Sequence, residues 1–93
     1  MEIARLRWRP DNERKLIANG VAPWEADELV ETGDWAVTVH PDYPDQVRII
    51  GPASAGCFVT IALEPTANPA VWRPVTGWPS TAGEIAYYRR EQR

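Results

Sequence analysis

Ninety-three residues with 44% apolar content and five tryptophans describe one folded domain, spanning 1–93, rather than a disordered chain. The net charge of −3 excludes an overall basic surplus, and a single cysteine excludes both an internal disulfide and a thiolate metal cluster. No apolar run approaches a membrane span, and Met1-Glu2-Ile3-Ala4-Arg5 lacks a signal-peptide core, so a cytoplasmic protein is expected.

Charge is unevenly spread. Arg5, Arg7, Arg9, Arg14 and Lys15 crowd the first fifteen residues, and Arg89, Arg90 and Arg93 close the chain. Between them stand only Arg48 and Arg73, against nine acids. Phosphate contacts supply most non-specific nucleic-acid affinity, so a nucleic-acid protein of this charge needs the two basic ends to meet in space. The alternative is that both ends are simply solvated.

Ile3 to Trp8 sets Ala4, Leu6 and Trp8 against Arg5 and Arg7, the alternation of a half-buried strand. Pro10-Asp11 predicts a helix start with Asp11 as N-cap, and Gly20 its end. Pro23 suits the first position of a second helix, with Glu25, Asp27 and Glu28 near its positive end and Gly33 beyond its stop at about Thr32. Trp35 to His40 alternates as a second strand. The turn Pro41 to Asp45 leads to a third strand, Val47 to Ile50.

Gly51 to Gly56 reads as a hairpin loop. Cys57 to Leu63 is apolar at nearly every position, which predicts a central strand covered on both faces, with Cys57 a small buried residue. Ala70 to Thr76 is a fifth strand. Pro74 cannot donate to a ladder, so that strand is bulged, at an edge, or free on one side. Thr81-Ala82-Gly83-Glu84 is a capping box opening a helix to about Glu91. The order β-α-α-β-β-β-β-α predicts an α+β fold, an antiparallel sheet carrying helices on one side.

The chain as a whole resembles the BrnT toxins, small ribonucleases with a RelE-like fold. Leu6-Arg7-Trp8-Arg9-Pro10 matches the family's opening Phe-x-Trp-Asp-Pro, with Arg9 in the aspartate's place. Asn12 and Lys15 fall in its first helix. Asn19-Gly20-Val21 matches His-Gly-Val, and Glu25-Ala26 a Glu-Ala pair. His40, Asp42, Arg48 and Ile50-Gly51 follow the family's order of acidic turn, arginine and Ile-Gly. In the closing segment Arg73, Thr76-Gly77, Ser80-Thr81 and Glu84 fall in step, while Trp78 stands where the family has a second arginine.

The resemblance implies a metal-independent RNA endonuclease, with RNA as substrate and a small DNA-binding antitoxin as partner. Cleavage of that type activates the ribose 2′-hydroxyl against the adjacent phosphate. It needs a base, an acid and cations for the charge on phosphorus. A guanidinium matches phosphate oxygens as a planar fork, so Arg73 and Arg48 are the candidate phosphate ligands. Arg73 could equally be an exposed strand residue or a partner for Glu84.

His40, the only histidine, and Glu84 are the candidate acid and base. His40 could also be a turn residue, and the capping box alone accounts for Glu84. Trp78 and Tyr88 are candidates for contact with RNA or a protein partner, and either Tyr87 or Tyr88 should pack the last helix on the sheet. Trp78 cannot neutralise a phosphorane but can stack on a base. A second expectation therefore stands beside the first, a catalytically degenerate binding or regulatory module of the same fold. No Gly-rich phosphate loop occurs, nor any zinc-ligand set or serine triad, and neither cofactor nor metal is expected. Five tryptophans hint at one exposed aromatic patch.

Overall fold

The computed structural model describes residues 1–92. Five strands, β1 (Arg5–Leu6), β2 (Ala36–Val39), β3 (Val47–Pro52), β4 (Phe58–Pro65) and β5 (Val71–Pro79), form one sheet in the order β1-β5-β4-β3-β2. Three helices, α1 (Pro10–Ala18), α2 (Pro23–Thr32) and α3 (Ala82–Glu91), complete the expected element order. The sheet is mostly antiparallel. The exception is β1, which pairs parallel with β5 at Arg5–Val71 and Leu6–Trp72. The two helices between β1 and β2 carry the chain across the sheet, so β1 returns to the far edge in the same direction as β5.

β4 is central, and Val59 to Leu63 are all buried, as the unbroken apolar run predicts. Covering both faces requires helices on both, which corrects the one-sided arrangement. Leu16 of α1, Val21 of the connection, and Ala26 and Leu29 of α2 pack with Ile49, Val59, Ile61 and Leu63 on one face. A Cβ on Gly51 would lie 2.3 Å from the Asp34 carbonyl and 2.6 Å from Leu29. One on Gly77 would lie 2.9 Å from Ile61 and 3.3 Å from Leu16. Both glycines are spaces that let these helices approach the sheet. The alternate residues Ile50, Thr60 and Trp78 face the other way, toward α3.

Local chemistry sets the ends. Arg9, not Asp11, is the N-cap of α1, with Pro10 at its first position. Pro10 has no N–H to satisfy, and Asp11 instead pairs with Arg14. At the start of α2 the Ala22 N–H donates to Glu25 Oε1 at 3.0 Å, and Gly33 ends the helix with φ +72°. Thr81 Oγ1 accepts from the Glu84 N–H at 3.2 Å, and the Thr81 N–H donates to Glu84 Oε1 at 2.8 Å, completing the expected capping box.

The strands differ from expectation mostly at their ends. β1 is only two residues long, flanked by single bonds from Ala4 to Ala70 and Arg7 to Trp72. β2 is shorter at both ends, and β3 runs on to Pro52. β5 continues past Thr76 to Pro79 because the bulge at Ala62/Leu63 absorbs the Pro74 irregularity and restores the ladder. Cys57 is exposed, a correction: β4 starts one residue later, and Cys57 ends the single helical turn Ser54–Gly56. Among the described residues no helix is long and apolar enough to cross a membrane.

Candidate functional site

The antiparallel ladders arrange the sheet face that bears α3 as parallel rows of side chains. Ala36, Ile50, Thr60 and Trp78 form one row, and Thr38, Arg48 and Ala62 the next. A third row continues in phase. The His40 N–H bonds the Gln46 carbonyl at 3.3 Å, and Glu64 pairs with Arg73. Arg48, Arg73 and His40, chosen from sequence as separate candidates, therefore share one face. Ala36, Ile50 and Thr60 are buried in the row under α3. The third row opens into a cavity of about 330 Å³ lined by Tyr43, Asp45, Gln46, Glu64 and Arg73 with two prolines.

Each candidate is engaged. Arg73 Nε donates to Glu64 Oε1 at 2.5 Å, and both side chains are largely covered. Its partner is Glu64 across the ladder, not Glu84. The Arg48 guanidinium lies 5.4 Å from the Trp78 ring centroid, a cation–π geometry. Arg48 Nε is buried without a hydrogen-bond partner among the described residues. Its register partner across the ladder is the small Ala62.

Trp78 Nε1 donates to Glu84 Oε1 and Oε2 at 3.0 and 3.3 Å. Glu84 Oε1 also accepts the Thr81 N–H. Its carboxylate is thus occupied by two donors, the indole and the backbone, before any substrate arrives. His40 Nδ1 accepts the Asp42 N–H at 3.0 Å, and its ring meets Tyr43 edge-on at 4.8 Å. The rows of His40 and Trp78 are four residues apart along β4, on the order of 13 Å. His40 and Glu84 are therefore not brought together on this face.

Tyr88 is not a free contact residue. Its hydroxyl donates to Asp34 Oδ1 at 2.6 Å, and its ring meets Phe58 edge-on at 5.1 Å. The hydrogen bond to Asp34, with burial and the nearby carboxylate charge, pushes the phenol up to about 12. Tyr87 donates to the Val37 carbonyl at 2.6 Å and ties α3 to β2.

Of the two arrangements left open for the basic ends the separate one holds, and the aromatic patch hinted at by five tryptophans does not form. The basic ends do not merge, because α3 packs on β2 and β3 while β1 lies at the opposite edge; Arg93 lies outside the described residues. Nor do the tryptophans form a patch, since only Trp24 of the five is strongly exposed. Trp8 donates to Asp27 and Trp72 to the Glu2 carbonyl, so each indole is tied to its own neighbour.

Sequence reasoning missed Glu64 and the Tyr43–Gln46 turn as parts of this face. The signal was cross-strand: only the β4–β5 register, shifted by the bulge, pairs Glu64 with Arg73. Among the described residues no group of acids, histidine and cysteine could hold a metal ion. No protein-family model matches the chain, and no curated protein matches it.

Proposed function

We propose that this chain is a BrnT-like protein that binds single-stranded RNA along the β3–β4–β5 face and does not cleave it through Glu84. The observation that carries this reading is the bond from Trp78 to both oxygens of Glu84, on a carboxylate already capping α3. Where the family resemblance expects an arginine, the side chain is one that stacks and donates once. Arg48, held over that indole, brings a positive charge beside a stacking surface. The element order supports the likeness to the toxin fold.

The test is fluorescence anisotropy of labelled single-stranded RNA, with denaturing gels run on the same samples in EDTA. Retention of intact RNA supports the reading. Absence of binding at micromolar protein removes it.

A second reading has its own observation. Arg48, Arg73 and His40 share one open sheet face, and a metal-independent ribonuclease would use them as phosphate ligands and proton donor. EDTA-resistant cleavage that disappears in Arg73→Ala is the outcome that would favour it.

A further inference from the structure

The cavity at the open end of this face carries an unusual set of groups for its size. Its walls are the turn residues Tyr43, Pro44, Asp45 and Gln46, the end of β4 at Glu64 and Pro65, and Arg73 of β5. At about 330 Å³ it has room for one heterocyclic base and its sugar. Arg73 and Glu64 engage each other through Nε and Oε1 only. The terminal nitrogens of the guanidinium and the second carboxylate oxygen have no other partner among the described residues. Gln46 brings an amide, with both donor and acceptor. Tyr43 stands at the wall 57% exposed, fixed edge-on to His40, as a ring on which a planar group can stack.

We infer that this cavity is a base-recognition pocket for guanine in single-stranded RNA, an inference that rests on the RNA-binding reading above. Guanine is the base that presents two adjacent donors, N1–H and N2–H, which a carboxylate accepts side by side. It also presents adjacent acceptors, O6 and N7, which a guanidinium fork matches. Glu64 and Arg73 supply the two halves at one ladder position, and Gln46 lies beside them. Adenine would set its N6 donor against Arg73 and its N1 lone pair and C2–H against Glu64, leaving both carboxylate oxygens without a donor. Cytosine and uracil are smaller and cannot span both groups.

The test uses the full chain with labelled six-nucleotide RNAs, one all adenine and one with a single central guanine, and with guanosine monophosphate alone. Affinities are measured at one ionic strength for the wild type, Glu64→Gln and Tyr43→Ala. The guanine RNA should bind about tenfold or more tighter than the all-adenine RNA. Glu64→Gln should bring the two affinities together, within about twofold of each other. Tyr43→Ala alters an exposed side chain and should weaken the guanine RNA without unfolding the protein. Equal affinity for both RNAs overturns the guanine pocket and leaves RNA binding standing. Guanosine monophosphate bound with neither RNA bound overturns the RNA-binding reading and keeps the pocket. No binding of any probe overturns both.

Discussion

The Trp78 indole N–H is shared between the two carboxylate oxygens of Glu84, at 3.0 and 3.3 Å, and this single bond joins β5 to the first turn of α3. Glu84 therefore serves the fold twice, as the helix-capping acceptor and as the anchor of a tryptophan that carries Arg48 on its face. Removing the N–H alone separates these roles. Trp78→Phe should lower stability by about 1–2 kcal/mol, the cost of a lost bond to a charged acceptor. RNA affinity should hold within about twofold because a stacking ring remains. Trp78→Ala should lose both. Urea denaturation and RNA anisotropy on the two variants check this.

Arg48 should act as a phosphate ligand without sequence preference. Arg48→Ala is expected to weaken all single-stranded RNAs alike and to reduce the slope of log affinity against log salt by about 0.7, one phosphate's worth. An unchanged slope would take Arg48 out of the interface.

The Thr81–Glu84 capping box is reciprocal. Thr81→Ala removes the acceptor for the Glu84 N–H and should cost about 1 kcal/mol. The readout is the urea midpoint, with the slope of the transition unchanged.

Gly51 should tolerate no side chain. Its added Cβ would meet a backbone oxygen at 2.3 Å, which no rotamer change relieves. Gly51→Ala should destabilise by about 1–3 kcal/mol or more, although alanine is ordinarily better than glycine in a strand. A midpoint equal to wild type would mean that α2 sits farther from β3 than described.

Tyr88 gives a pH test. Its phenol is pushed up to about 12 by the hydrogen bond to Asp34. The folded state thus holds its proton where the unfolded chain, titrating near the ordinary value of about 10, has lost it. The stabilising contribution is complete below about pH 10 and is lost as pH rises toward 12. Ultraviolet titration at 295 nm should show Tyr88 as a late step among the three tyrosines, absent in Tyr88→Phe and moved down in Asp34→Asn.

Much of the fold was legible because the strongest signals are local. Pro23 and Gly33 bracket α2, the Thr81–Glu84 pair opens α3, and the apolar run of β4 marks the sheet centre. Pro74 left a bulge, an edge or a free side open, and the register shift at Ala62/Leu63 is the bulge. The parallel β1 was not, since two residues carry no signature of strand direction. Nor was the exposure of Cys57, because hydropathy ran straight through the loop boundary.

The candidate site was legible as residue types and not as partners. Arg48, Arg73 and His40 do share a face, but that Arg73 answers Glu64 and Glu84 answers Trp78 is a matter of cross-strand register and helix placement. Such relations depend on which rows of the sheet α3 covers.

The most direct measurement is to incubate end-labelled single-stranded RNA with purified protein in EDTA and follow binding and strand integrity together. The account predicts a bound and intact RNA, for the wild type and for Glu84→Gln alike. Cleavage by the wild type that Glu84→Gln abolishes, with the circular-dichroism spectrum unchanged, would contradict it and return Glu84 to the role of catalytic base.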